Sequence, residues 1–126
     1  MDFYNSALAL GKLLEERKAE DVVVIDLREY HTWTDFFVIG TVSSAIQAAG
    51  IEKYLHEEVA KLSLEEYPVK RKVANGEEWS LIDLGGIVVH LMSPMARKFY
   101  DLEKLWFEGK NILTNVKKTS DDAEKM

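Results

Sequence analysis

Three aspartates stand where predicted strands begin or end, which is where metal-binding carboxylates are often found. Asp26 ends one β-branched run, Asp35 begins the next, and Asp83 ends a later one. Carboxylates on adjacent strands can hold Mg²⁺ for phosphoryl or nucleotidyl transfer. The chain has no D-x-D pair, and aspartates at strand ends more often form turns and caps. A Mg²⁺-dependent nucleotidyltransferase using Asp26 and Asp83 is therefore one hypothesis for function, and not the favoured one.

Two other arrangements could do chemistry. The segment GTVSS, residues 40–44, joins a predicted strand to a helix N-terminus, a position that favours anions. It has one glycine and no following lysine, so a capping turn is favoured over a phosphate-binding loop. The histidines His31, His56 and His90 are far apart, and a lone strand histidine such as His90 is more often structural than catalytic. With no nucleophile constellation, we expect no enzyme activity and no cofactor or metal.

Hydrophobic periodicity predicts three helices that would position these residues. They cover residues 3–18, residues 43–62 with Ser43 or Ser44 as N-cap, and a last helix that begins at Ser93-Pro94 and runs to about residue 107. The solvated face of the second helix is predicted to hold Glu52, Lys53, Glu57, Glu58 and Lys61.

Five strands are predicted between the helices, over residues 22–27, 35–41, 67–73, 79–84 and 87–92. Asn75-Gly76 and Gly85-Gly86 join the last three strands into a meander, and Asn-Gly is a strong signal for a two-residue hairpin. The strand with Pro68 and several lysines belongs at a sheet edge. The prediction is an α/β domain with a single mixed sheet of about five strands and three helices.

Composition limits the function further. The chain has 126 residues, 47% of them hydrophobic, and its formal net charge is -6. A phosphate backbone would repel such a chain unless its basic residues were segregated on one face, and Lys70-Arg71-Lys72 is the only dense basic run in the sequence. DNA binding is therefore not expected, and a protein partner is favoured. It has no cysteine and no apolar run of membrane-spanning length, which agrees with a cytoplasmic protein. Residues 1–111 are predicted to form the domain and residues 112–126 a polar, flexible tail.

The last helix carries more aromatic residues than one packed face needs. Its predicted core stripe holds Met95, Phe99, Leu102 and Trp106. A second stripe, about 110° around the helix, holds Ala96, Tyr100, Glu103 and Phe107. Two interpretations stay open: the helix packs deeply enough to cover both stripes, or Tyr100 and Phe107 belong to a partner surface.

The strand predicted over residues 79–84 also has an apolar face that either the domain or a partner could cover. Trp79, Leu81 and Asp83 share one face of their strand, while Ser80, Ile82 and Leu84 share the other. A face that combines tryptophan, leucine and aspartate is expected to be only partly covered. It is a candidate exposed apolar patch.

Three segments carry a resemblance to a known family. DFFVIGT (residues 35–41), EEWSLIDLGGIVVHLM (residues 77–92) and ARKFYDLEKLWFEG (residues 96–109) resemble the Iojap family, the ribosomal silencing factors called RsfS in bacteria. The likeness runs over residues 7–111. The order W-x-L-x-D-x-G, then V-V-H, then the aromatic helix segment is specific to that family.

The resemblance implies a nucleotidyltransferase-like fold without the catalytic acids. It implies binding to the universal large-subunit ribosomal protein fourteen, which blocks joining of the small subunit and represses translation. Free family members tend to be homodimers, and organellar relatives are linked to assembly of the large subunit, which is a further alternative function here. The implied interface centres on Trp79 and Tyr100; Glu103, Lys104 and Phe107 would extend it, and Leu81 joins it from the candidate patch.

Overall fold

A computed structural model describes residues 3–28, 34–68, 70–74, 77–100 and 110–111. In these ranges the helices are Phe3–Glu16 (α1), Ala45–Lys61 (α2) and Pro94–Tyr100 (α3). The strands are Glu20–Asp26 (β1), Phe36–Thr41 (β2), Lys70–Ala74 (β3), Glu77–Asp83 (β4), Ile87–Met92 (β5) and Lys110–Asn111 (β6). The predicted α/β class, with one mixed sheet and three helices, is confirmed, but the described sheet has six strands where about five were predicted. The two-residue β6 is an addition that the sequence pattern did not indicate.

All six strands form one mixed sheet in the order β3-β4-β5-β2-β1-β6. Its central pair, β2 and β5, is parallel, and the remaining pairs are antiparallel. The predicted meander is confirmed, with β3 as an edge strand. Ala74 pairs with Glu77, which fits a two-residue connection, although Asn75 and Gly76 themselves lie outside the described residues.

Each face of the sheet carries its own apolar cluster because side chains alternate along a strand. On one face, α1 and α2 cover β-strand residues that include Val24, Phe36 and Val89. We call it the α1–α2 face. On the other, Ala96 of α3 packs with Ile25, Phe37, Ile39, Val88 and Met92. We call this the α3 face.

The first helix ends earlier than its apolar period suggested. After Glu16 the chain turns at Lys18, whose φ of 72° lies in the left-handed region, and Ala19 N–H donates to the Leu14 carbonyl at 3.0 Å. Asp21 is also left-handed, and the pairing of β1 with β2 shifts register between Glu20 and Val23. The strand therefore begins at Glu20, two residues before the predicted start, with an irregularity that the β-branched run does not reveal.

The second helix shows how closely side chains control its start. The Ser44 hydroxyl accepts a hydrogen bond from Gln47 N–H at 3.0 Å, which makes Ser44 the N-cap, as predicted. The buried stripe of this helix holds Ala48, Ile51, Leu55 and Val59. Glu52, predicted to face solvent, is only 6% exposed, so that prediction was wrong.

Two glycines differ in what surrounds them. Gly40 in β2 lies beneath the end of α1, where an added Cβ would be 3.1 Å from Leu14 Cδ1 and 3.3 Å from Ala19 Cβ. Gly50 is an exposed residue inside α2, and a Cβ there would meet nothing within 4 Å. Close packing disfavours a side chain at Gly40 but not at Gly50.

Replacing Gly50 with alanine should therefore stabilise the domain. Glycine in a helix interior costs about 1 kcal/mol of stability relative to alanine. An alanine Cβ at position 50 would clash with no described atom, so the full gain is expected. We expect the free energy of unfolding to rise by about 1 kcal/mol and Tm by about 4 °C. Urea unfolding followed by circular dichroism measures it, and an unchanged or lower midpoint would contradict the expectation.

The orientation of α3 corrects the predicted core stripe. Met95 was expected in the core but is 55% exposed, whereas Ala96, assigned to the second stripe, is completely buried. The small side chain lets the helix approach β4 and β5 closely. Arg97, predicted on the solvated side, is partly buried and donates a hydrogen bond to Thr41 Oγ1 at 2.9 Å.

Other expectations fall outside the described ranges. These are Leu102 and Trp106 of the core stripe and the tail at residues 112–126. Among the described helices, none is long and apolar enough to cross a bilayer.

Candidate functional site

Side chains along β4 alternate between a buried face and a partly exposed face of the sheet. Ser80, Ile82 and Leu84 are buried toward the α1–α2 face. Leu81 and Asp83 are partly exposed, and Leu81 packs at the margin of the apolar cluster under α3. The predicted alternation is confirmed for these five residues, and Leu81 contributes apolar surface that the domain leaves partly uncovered.

Trp79 lies in the same strand, two residues before Leu81. It is the third residue of β4 rather than the first, because the strand begins at Glu77. It pairs with Met92 of β5 on one side and with Lys72 of β3 on the other. The register thus puts Trp79 in line with Leu81 on the α3 face, one strand in from the sheet edge.

Tyr100 is the last residue of α3, and it comes from the segment that directly follows β5. It lies four residues after Ala96, which is buried. Because α3 contacts β4 and β5, this helix packs on the strand that carries Trp79. Glu103, Lys104 and Phe107 lie outside the described residues.

His90 is placed as a structural residue. It is 3% exposed, and its ring meets the Phe37 ring edge-on, with 4.6 Å between centroids. In the sheet it pairs with Leu81 and Ile39. The side chain is enclosed in the α3 face, in agreement with the interpretation that it supports the fold.

The metal hypothesis for Asp26 and Asp83 fails on geometry. The two residues lie on strands three positions apart in the sheet, roughly 14 Å at the usual strand spacing. The register also places them on opposite faces, since Asp26 pairs with Phe36 and Asp83 with Val88. Within the described ranges, no group of three or more acids and histidines could hold a metal ion.

Both carboxylates already have local partners. Asp26 forms a two-bond pair with Arg28, through Nε at 2.9 Å and a terminal nitrogen at 2.7 Å. Asp83 Oδ1 accepts the Gly85 N–H at 2.9 Å, within a turn where Gly85 has a φ of 88°. Asp26 Oδ1 also accepts the Arg28 N–H at 3.0 Å, so both aspartates form the local turns that the sequence pattern favoured at strand ends.

The GTVSS segment is a capping turn. Besides the Ser44 cap, the Ser43 N–H donates to Gln47 Oε1 at 2.7 Å, and the Gln47 amide donates to the Lys18 carbonyl at 3.1 Å. Gln47 therefore occupies donors that a phosphate would need. A cavity of about 40 Å³ beside the turn, lined by Thr41 and Gln47 among others, has room for a few waters and not for a nucleotide.

Two residues near the candidate patch were not included in the predicted site. Lys70 pairs with Leu81, and Lys72 pairs with Trp79. The signal was present in the sequence, because a two-residue turn at Asn75-Gly76 fixes this pairing.

Comparisons with known proteins agree on one family. The family model described as Ribosomal silencing factor during starvation (RsfS) matches residues 2–126. The chain is 38% identical over 106 residues to the ribosomal silencing factor RsfS of Treponema pallidum, an alignment that covers 84% of this chain and 94% of the relative. The chain therefore belongs to the RsfS family.

Organellar relatives and solved structures extend the comparison. Mouse "Mitochondrial assembly of ribosomal large subunit protein 1" is 36% identical over 77% of this chain, which spans 43% of that protein. A crystal structure of a Bacillus halodurans protein is similar with a TM-score of 0.62 and 31% identity, covering 81% of this chain and 94% of the other. A Chromobacterium violaceum protein, 24% identical, shares the fold with a TM-score of 0.72 over 84% and 87% of the two chains.

Proposed function

We propose that this protein binds the large ribosomal subunit through its universal protein fourteen and prevents the small subunit from joining. Membership in the RsfS family is the observation that supports this most. The partly exposed Leu81, on the side of the sheet where α3 packs, supports the proposal because it leaves apolar surface that a protein partner would cover. The mechanism is occlusion: the bound domain occupies space that contacts between the subunits require.

We infer an interface centred on Trp79 and Tyr100, with Leu81 beside them. Glu103, Lys104 and Phe107 follow in the sequence after α3 and would extend the contact. Aromatic residues suit such a centre because they bury a large area while keeping a polar group at one end. The net charge of -6 favours a contact that is mainly between proteins and disfavours one made mainly with nucleic acid.

We also infer that the protein acts by binding and not by catalysis. The sheet would then be a nucleotidyltransferase-like fold used as a docking scaffold. The separation of Asp26 from Asp83 and their local partners support this, because the acids that such an enzyme needs are not assembled. The proposal places the protein in the cytoplasm with the ribosomes, as a homodimer when free.

A role in assembly of the large subunit is the second candidate. It is supported by the name of the mouse relative, which refers to mitochondrial large-subunit assembly. The two roles differ in timing. An assembly factor would bind immature large subunits better than mature ones, and a silencing factor would bind mature subunits at least as well.

The deciding experiment uses isolated mature large subunits. Purified protein is added, the subunits are pelleted through sucrose, and small subunits are then supplied. We expect the protein to co-pellet and the fraction of joined ribosomes to fall as its concentration rises. If the protein stays in the supernatant while subunits join normally, the silencing proposal is wrong.

A further inference from the structure

The basic run of this acidic chain lies at one end of the described sheet. Lys70, Arg71 and Lys72 open β3, which is the terminal strand of the sheet and pairs only with β4 among the described strands. In a chain with 22 acidic and 16 basic residues, such a concentration of positive charge creates a local field opposite in sign to the net charge.

The pairing register divides this run between the two faces. Lys70 pairs with Leu81 and Lys72 with Trp79, so both lysine positions belong to the α3 face together with the candidate patch. Arg71 pairs with Ser80, which is buried on the α1–α2 face. In the sheet, Lys70 and Lys72 are therefore the cross-strand neighbours of Leu81 and Trp79.

We infer that Lys70 and Lys72 bind phosphate groups of the large-subunit RNA next to the protein site. This rests on the proposed function, since a face that docks on a ribosomal protein is brought against the surrounding RNA. Lysine is a compact point charge that suits a sugar-phosphate backbone, which needs no fixed hydrogen-bond geometry. The protein contact would then give specificity, and the lysines would strengthen and orient it.

Two acidic residues flank the positions of Lys70 and Lys72 on the same face of the sheet. Asp83 lies beyond Leu81, with one carboxylate oxygen already bonded to Gly85 N–H. Glu77 pairs with Ala74 at the turn end of the hairpin, one same-face position beyond the pair of Lys72 with Trp79. The lysine positions therefore lie between the acids, and Glu77 offers a variant with the opposite expected effect.

The test is the salt dependence of binding. Affinity for isolated large subunits is measured from 50 to 200 mM salt for the wild type and for the double variant Lys70→Gln/Lys72→Gln. Loss of two phosphate contacts should make the slope of log affinity against log salt shallower by about 1.6. The ratio of wild-type affinity to variant affinity should therefore fall about tenfold between 50 and 200 mM salt. Affinity for purified ribosomal protein fourteen should not change.

Three matched variants complete the design. Arg71→Gln removes the same charge from the other face and should keep the wild-type slope. Lys70→Arg/Lys72→Arg keeps both charges and should also keep it. Glu77→Gln should strengthen subunit binding at low salt, because it removes a repulsive charge beside the phosphates.

Two results would overturn the inference while leaving the proposed function intact. In one, the double glutamine variant is folded and binds large subunits with the wild-type slope. In the other, it weakens binding to ribosomal protein fourteen alone by the same factor as binding to subunits, which would assign the lysines to the protein contact. If the wild type fails to bind subunits even at 50 mM salt, the proposed function fails as well.

Discussion

Replacing Trp79 with alanine is expected to weaken binding to large subunits about thirtyfold while the domain stays folded. Loss of a central aromatic anchor typically costs about 2 kcal/mol of binding free energy, which corresponds to that factor. Trp79 is in β4, on the face where the neighbouring Leu81 remains partly exposed. Equilibrium binding of labelled protein to subunits and to purified ribosomal protein fourteen measures the loss, and inhibition of subunit joining should fall in parallel.

A matched aromatic control lies on the other side of the sheet. Tyr54 of α2 is 37% exposed, with the Arg17 guanidinium 3.5 Å above its ring. Tyr54→Ala removes an exposed aromatic ring without touching the α3 face and should bind as the wild type does. Tyr100→Ala should behave like Trp79→Ala. Wild-type affinity in both of these variants, with native circular dichroism, would show that the interface has been assigned to the wrong residues.

The second large effect concerns the contact between α1 and β2. Leu14 is completely buried and lies over Gly40, where an added Cβ would be 3.1 Å from Leu14 Cδ1. Leu14→Ala should cost about 3 kcal/mol through lost burial and a cavity. Gly40→Ala should cost about 2 kcal/mol because the methyl group is forced against Leu14 and Ala19.

Together the two substitutions should cost clearly less than their sum. The methyl group added at Gly40 enters the space that Leu14→Ala vacates, so each change relieves the other. We expect a coupling of at least about 1 kcal/mol, within the usual range for residues in contact. Urea unfolding of the four proteins in the cycle measures it, with Gly50→Ala in place of Gly40→Ala as the uncoupled control. Strict additivity would mean that Gly40 and Leu14 are not in the contact described.

Local features of the fold were predictable because local chemistry determines them. Ser44 was recognisable as a cap, and Asn75-Gly76 indicated a hairpin whose strands pair as a two-residue turn requires. The alternation in β4 separated Leu81 from Ser80 and Ile82 correctly. Each of these depends on residues within a few positions of one another.

Features that depend on distant packing were not predictable in the same way. In α3 the helical wheel placed Met95 in the core stripe, whereas close approach to the sheet selected Ala96. Glu52 is an acidic residue and yet buried, which a prediction from helical periodicity does not anticipate. Of the candidate site, sequence indicated Trp79 and Leu81 through strand alternation, but the relation of Lys70 and Lys72 to them required the pairing register.

The parallel pairing of β2 with β5 has a consequence for how the protein is made. Phe36 pairs with Ile87 and Thr41 with Met92, so the middle of the sheet joins the first third of the chain to a much later segment. Pairing between such distant segments slows folding, because closing the long intervening loop costs entropy before the paired contacts stabilise it. During synthesis β2 keeps an unpaired edge until β5 has been translated and released from the exit tunnel. A nascent copy therefore completes its fold only when most of its chain has left the ribosome that makes it.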